Sequence, residues 1–199
     1  MYILMSYSPK TNYLSDLTDL ELIRKVKSGE TQAFDCLMQR YGNRIYRVIY
    51  GMVHNYADAE DLVQETFVHA YKGIKKFKEQ YQFYTWLYRI AINLCINYCK
   101  RKKIIQFTSL ANAEFYADKN PKASLEAQEL KRVVERQLAQ LSNEQKMVFV
   151  LRTFEEMSYQ EIADILGISV GTVMSRLARA RQKLKELLKD YLPKSEKRL

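Results

Sequence analysis

The sequence predicts an all-α protein of two small helical domains joined by a flexible linker, and three features carry that expectation. Apolar residues recur at spacings of three and four over most of the chain, the mark of amphipathic helices. Only 6 Gly and 3 Pro interrupt 199 residues, too few turn formers for a fold of many short strands. Capping boxes, a Ser or Thr followed three residues later by Glu or Gln, precede apolar stripes at Thr18, Ser142 and Ser158. A hydrophobic fraction of 47% is enough to bury one medium core or two small ones.

Taken in order, residues 1–15 read as a flexible lead. Thr18 with Glu21 then opens a short helix that Gly29 closes. From Thr31 onward, Phe34, Leu37, Tyr41, Ile45, Ile49 and Met52 form the stripe of a long helix, with Gly42 a weak point in its middle. A third helix is predicted from Asp58 to about Lys76, with Leu62, Phe67, Ala70, Tyr71 and Ile74 facing the core. After a loop from Lys78 to Gln82, a fourth helix covers Phe83 to Lys103 and turns basic at Lys100-Arg101-Lys102-Lys103. That change predicts a domain edge, so the first domain is placed at 16–103.

Residues 104–124 lose the periodicity and collect Thr, Ser, Asn, Asp and Pro, which predicts a linker long enough for its flanks to move independently. A second domain is placed at 125–191. Leu130, Val133, Val134, Leu138 and Leu141 predict its first helix, Ser142 with Gln145 caps the next, and Ser158 with Glu161 caps a third. Residues 192–199 form a tail.

A formal net charge of +9 draws the chain to polyanions and makes nucleic acid the leading partner class. Its basic residues lie within helices and not in one cluster beside an apolar span, which argues against a membrane surface. The opening Met1-Tyr2-Ile3-Leu4-Met5 has no basic stretch before it and does not resemble a signal peptide. No apolar run approaches the ~20 residues that a spanning helix needs. The expected location is the cytoplasm, with Cys36, Cys95 and Cys99 reduced. Cys95 and Cys99 are four apart, a spacing of neither the common zinc nor the common redox motifs, and read as small buried hydrophobes.

Ser158 to Lys185 predicts a helix, a short Gly turn and a second helix. Ala163 permits close crossing, Gly167 suits a left-handed turn, and Ile162, Leu166, Ile168, Val173 and Leu177 fill the space between the helices. Thr172, Met174, Ser175, Arg176 and Arg179 are left on the outer face of the second helix. No acidic side chain lies between Asp164 and Glu186, while Arg176, Arg179, Arg181, Lys183 and Lys185 are basic. This pattern suits a helix lying in a phosphate-lined major groove, as in a DNA-binding helix-turn-helix.

Two segments of the first domain narrow the function. Asp58, Asp61 and Glu65 fall at helical spacing and make an acidic patch on a basic protein. His54 with these carboxylates could line a divalent metal, although ligands on one helix face enclose an ion poorly. A solvated helix start or a docking surface for a basic partner are the other readings. From Phe83 to Lys103 aromatic side chains are interleaved with Arg and Lys, the combination that stacks unpaired bases and holds their backbone, with Leu87, Ile90 and Leu94 as core.

Together, Asp61-Leu-Val-Gln64-Glu65-Thr-Phe67, Phe83-Tyr-Thr-Trp86-Leu-Tyr-Arg-Ile-Ala-Ile-Asn93 and the segments Tyr159 to Ala163 and Val170 to Arg176 resemble the extracytoplasmic-function sigma factors. These are the small bacterial sigma-70-type factors that keep sigma domains two and four. The resemblance implies that Asp61, Gln64 and Glu65 contact the clamp helices of core RNA polymerase. It implies that Phe77, the loop Lys78 to Gln82, Trp86 and Asn93 melt the minus-ten element and capture a flipped non-template base, with Lys100 to Lys103, Arg101 among them, on nearby phosphates. Thr172, Met174, Ser175, Arg176 and Arg179 would read the minus-thirty-five element. It further implies an anti-sigma partner, often membrane-bound in relatives, that can hold the chain away from the nucleoid. No metal, cofactor or small-molecule substrate is expected.

Two departures from the family pattern stand out. The loop Lys78 to Gln82 lacks the small residues frequent there, and Met174 replaces a residue often basic in relatives. Two other functions fit parts of the pattern. A free-standing repressor or activator would share the helix-turn-helix but has no need of the aromatic fourth helix. A DNA-cleaving or recombining enzyme would need a nucleophile and base at working spacing, which Asp58, Asp61, Glu65 and the tyrosines do not supply.

Overall fold

The computed structural model describes residues 12–108, 133–189 and 191, and every regular element among them is helical. The elements are α1 (Asn12–Ser15), α2 (Asp19–Lys27), α3 (Gln32–Val53), α4 (Tyr56–Gly73), a 3-10 turn at Ile74–Lys76, and α5 (Phe83–Thr108). They continue with α6 (133–139), α7 (Asn143–Phe154), α8 (Tyr159–Leu166) and α9 (Val170–Leu187). The expected linker from residue 109 onward, residues 1–11 and the tail lie outside the described residues. No helix among the described residues is long and apolar enough to cross a membrane.

The helix starts follow from their caps. Thr18, Ser142 and Ser158 each accept a hydrogen bond from the backbone N–H three residues on, and Glu21, Gln145 and Glu161 reach back in return. Side-chain caps of this kind stabilise a helix by about 1 kcal/mol each. Asn55, which sequence reading passed over, caps α4 through its bond from the Asp58 N–H.

Three element boundaries differ from expectation. Residues 12–15, read as part of the lead, form one helical turn because Leu14 is fully buried in the core and the Tyr13 hydroxyl donates to Glu30. The third helix stops at Gly73 and tightens into the 3-10 turn. The fourth passes Lys103 and ends at Thr108, so the basic run lies inside the helix and not at its end.

In the first domain α2, α3, α4 and α5 surround one apolar cluster that includes Leu22, Ile23, Leu37, Ile45, Ile49, Phe67, Leu87 and Tyr88. Phe34 meets Phe67 and Tyr71 edge to face at 6.3 and 5.1 Å. In the second domain α6 packs on α9 through Leu138, Leu141, Ala180 and Leu184. Lys183, expected on the DNA side, donates instead to the Gln140 carbonyl at 2.6 Å and ties α9 to the end of α6.

The two domains pack against each other. Met147, Val148, Val150 and Leu151 of α7 belong to the same apolar cluster as Val48, Ile49 and Met52 of α3. A Cβ on Gly51 would lie 2.7 Å from the Phe154 ring and 3.0 Å from Val150, so α7 can approach α3 this closely only over a glycine.

The polar part of this contact centres on Glu155, whose side chain is fully buried. It accepts from Arg44 at 2.8 Å, from Arg47 at 2.9 and 2.7 Å, and from the Tyr88 hydroxyl at 2.8 Å. Burial, and then this hydrogen bond, push the Tyr88 hydroxyl far above its ordinary pKa. The Glu155 bond raises Arg44 in turn. The chain turns sharply after Glu155 because Glu156 adopts a left-handed conformation, φ 55°. Arg152 holds that turn by donating to the Glu156 and Met157 carbonyls and lies over the Tyr159 ring.

Around this centre Tyr84 donates to Glu161 at 3.0 Å, Tyr50 to Glu135 at 2.9 Å, and the Arg89 guanidinium to the Asp164 carbonyl. His54, left-handed at φ 53°, closes α3 beside α7 with both ring nitrogens buried and without hydrogen-bond partners. Burial, then the charge of Lys146 on α7, lower its pKa to about 4. The Tyr50 ring faces it from α3.

Neutral His54 is thus favoured when folded, and the unfolded chain binds the extra proton between the ordinary value of 6.5 and about 4. Its contribution, about 3 kcal/mol at most, is complete above the ordinary value and is lost as pH falls through that window. Urea unfolding should show a fall in stability between about pH 7 and about pH 5 that is largely absent in His54→Asn, a residue that tolerates the left-handed conformation.

Candidate nucleic-acid and polymerase interfaces

The ring-rich helix α5 divides its side chains by angle around the axis. Phe83, Leu87, Tyr88, Ala91, Ile92 and Cys95 are buried, and burial raises the Cys95 thiol pKa, as fits a small core hydrophobe. Trp86, Asn93 and Lys100 recur at seven-residue intervals and so share another face, spaced over roughly 21 Å of helix. Asn93 and Lys100 are exposed on it and Trp86 is half-buried. The rings of Phe83 to Tyr98 are therefore not all sealed inside.

Trp86 is held from beneath. Its ring lies 5.2 Å from Phe77 and 5.8 Å from Phe83, and a Cβ on Gly73 would come within 3.0 Å of it. Phe77, expected as a DNA contact, is itself buried and packs edge to face on Phe83. It supports the exposed edge of Trp86 and does not reach solvent, because the 3-10 turn after α4 points it back into the core.

The loop from Lys78 to Gln82 is exposed along its length and anchored at one end. Glu79 accepts from Arg24 at 2.9 Å and from Lys27 at 3.5 Å, bonds that hold its carboxyl below the ordinary range, and Lys27 also donates to the Phe77 carbonyl. Sequence reasoning missed this tether, since the partners are more than 50 positions apart. Beneath the loop lies a cleft of about 490 Å³ whose lining includes Asp19, Arg40, Tyr41, Tyr81, Phe83 and Tyr84. Asp19 accepts from both Arg40 and Tyr41.

At the far end of α5, Lys100 and Arg101 are exposed, but Lys102 donates to Tyr98 at 2.9 Å and pairs with Asp58 at 3.5 Å. Tyr98 also donates to Asp58. Asp58 thus faces α5 and leaves the acidic patch to Asp61 and Glu65, which are exposed on α4, as is Gln64. Glu65 lies 3.7 Å from His69. Among the described residues no three metal-ligating side chains converge, and His54 is buried away from the patch.

In the helix-turn-helix, Gly167 ends α8 at φ 65°, and Ser169 caps α9 by accepting from the Thr172 N–H at 3.1 Å. Val173 and Leu177 are buried against Ile162 and Ala163, which fixes the rotation of α9. That rotation leaves Met174, Ser175 and Arg179 exposed and Arg176 and Thr172 half-buried at the margin. Among the described residues, neither Arg176 nor Arg179 is turned into an ion pair.

The family model for Sigma-70 region 2 matches residues 37–104, and that for Sigma-70, region 4 matches residues 131–184. The chain is 33% identical over 189 residues to the RNA polymerase sigma-H factor of Pseudomonas aeruginosa, covering 90% of this chain and 98% of that protein. It is 35% identical to the ECF RNA polymerase sigma factor SigW of Bacillus subtilis, covering 84% and 95%. The fold resembles that of CnrH bound to the cytosolic domain of CnrY, with a TM-score of 0.67, 29% identity and coverage of 86% and 97%. It also resembles the sigma factor RpoE of Bartonella quintana bound to the anti-sigma factor NepR, with a TM-score of 0.62, 27% identity and coverage of 78% and 96%. Two matched regions in order, and relatives aligned almost end to end, place this chain in the extracytoplasmic-function branch of the sigma-70 family.

Proposed function

We propose that this sigma factor directs promoter-specific initiation through three surfaces, each kept outside the core by the packing of the helix that bears it. The observation that carries the assignment is the Trp86–Asn93–Lys100 face of α5, where a propped ring, an amide and a cation line one side of a helix. This face would receive the melted non-template strand, the ring stacking on a base and Lys100 and Arg101 meeting phosphates. The cleft under the loop Lys78 to Gln82 is of a size to take a base flipped out of the stack, with Tyr81 and Tyr84 among the rings that line it.

The exposed edge of α9 would enter the major groove of the minus-thirty-five element. Thr172, Ser175, Arg176 and Arg179 would make polar contacts there, and Met174 an apolar one such as a thymine methyl accepts. Asp61, Gln64 and Glu65 on α4 would dock on core polymerase. The chain would act in the cytoplasm without cofactor or small-molecule substrate, supplying binding energy and no bond chemistry. RpoE of Bartonella quintana is bound by an anti-sigma factor, and the likeness in fold supports a partner of that class for this chain.

Run-off transcription from a promoter library by core polymerase with and without this chain tests the reading, which fails if the core enzyme does not bind it. Asp61→Ala and Glu65→Ala should weaken binding to core polymerase in a pull-down titration while thermal stability stays within about 0.5 kcal/mol of the parent, as for exposed side chains. An equal loss of stability would make the patch structural. Arg179→Ala should cost about 1–3 kcal/mol of promoter affinity in the holoenzyme if it reads a base, measured by competition binding, with core-polymerase binding unchanged.

A further inference from the structure

We infer that Arg24 and Lys27 on α2 position the loop Lys78 to Gln82, and that the choice of base at the cleft beneath it depends on their hold on Glu79. The inference rests on the reading of that cleft as the seat of a flipped base. Asp19, Leu20 and Ile23 of α2 line the cleft, as do Glu79, Tyr81 and Gln82 of the loop. Arg24 and Lys27, on the same helix, bond one part of the lining to the other. The whole of α2 lies before residues 37–104, the segment that matches Sigma-70 region 2, so the match itself assigns it no role.

The two parts of the lining differ in how they are held. On the α2 side Asp19 accepts from Arg40 and Tyr41, and Arg40 also donates to the Ser15 and Leu17 carbonyls at 3.1 and 2.8 Å. The loop, by contrast, is exposed between the buried rings of Phe77 and Phe83 and has no packed face of its own. A bond from the Tyr81 N–H to the Lys78 carbonyl at 3.1 Å makes Lys78 to Tyr81 a four-residue turn. Glu79 is the second residue of that turn. Arg24 donates to one of its oxygens through Nε and Nη2 at 3.0 and 2.9 Å, while Lys27 reaches the other at 3.5 Å and donates to the Phe77 carbonyl at 2.9 Å. Both oxygens are thus held from one helix, and the place of Tyr81 in the lining is set with them.

An exposed ion pair shifts an equilibrium by about fivefold at most, so its loss leaves the fold intact and redistributes a loop among its orientations. Selection of a base needs groups held in register with the edge of that base, and an unsupported turn presents them over a range of positions. Loss of the tether therefore erodes the difference between bases. It leaves Lys100 and Arg101, at the far end of α5, free to meet phosphates as before.

The test uses holoenzyme assembled from core polymerase and the full chain, on promoters in which each minus-ten position is permuted through all the bases. Competition for open-complex formation gives the ratio of best to worst base at each position, a ratio in which the phosphate contribution cancels. Arg24→Ala should lower this ratio about three- to fivefold at one position and leave the others unchanged, with core-polymerase binding and thermal melting as in the parent. Glu79→Ala should lower it at the same position, and the double variant should lose no more than Glu79→Ala alone, because the bond is already broken. Equal weakening at every base in Arg24→Ala would make Arg24 a phosphate contact, and a loss confined to Glu79→Ala would make Glu79 a direct one. Additive losses, or a matching fall in melting temperature, would make the two residues independent or merely structural, and each of these results overturns the tether. A parent indifferent to the base at every position would instead sink the reading of the cleft, and the tether with it.

Discussion

Removing a carboxylate from water costs several kcal/mol, and in this fold that penalty falls on Glu155. It is offset only where Arg44, Arg47 and Tyr88 converge, two of them on one helix and the third on another. The position of α7 on α3, and through α7 that of the whole helix-turn-helix, is set by that meeting point. The left-handed Glu156 and the Arg152 bonds to the following carbonyls exist to present one acid at one place. Removing a single partner from such a buried pair is strongly destabilising, because it leaves a charge in the interior without its counter-ion.

A second constraint is the division of α5. One helix of 26 residues supplies the core of the first domain, the contact with the second and an outward face of ring, amide and cation. These roles coexist because they occupy different angles around the axis. Tyr84 and Tyr88 differ by four positions and face α8 and α7, while Trp86, Asn93 and Lys100 follow the seven-residue repeat on another side. Arg89 stands between the two sets, and its bond to the Asp164 carbonyl draws toward the second domain a cation that would otherwise border the outward face.

What could be read from sequence was whatever depends on neighbours a few positions apart. The capping boxes at Thr18, Ser142 and Ser158, the left-handed turn at Gly167 and the apolar plug of Val173 and Leu177 are local, and they stand where their spacing placed them. The burial of Phe77 could not be foreseen, because a lone ring after the last turn of a helix has no periodicity to say which way it points. Asp58 lies on the same helix as Asp61 and Glu65, yet Tyr98 and Lys102 forty-odd positions later turn it toward α5. Lys183 and Glu79 likewise take partners that no short-range pattern names. The packing of one domain on the other left no mark in the pattern at all. Glu155 sits in an ordinary polar turn, and its partners are more than 60 residues away.

Gly51 lies inside α3, where a glycine makes the helix less stable than alanine would by about 1 kcal/mol. That deficit is hidden while α7 covers it and exposed once α7 departs. The C-terminal half of α3 is then the part of the first domain most ready to fray, and its amide protons around Gly51 become a local gauge of whether the halves are joined. Because α3 leads through His54 directly into the helix that carries Asp61 and Glu65, loosening at this one residue also frees the approach of α4. Separation of the halves and pliancy of the acidic helix are in this way properties of the same backbone position.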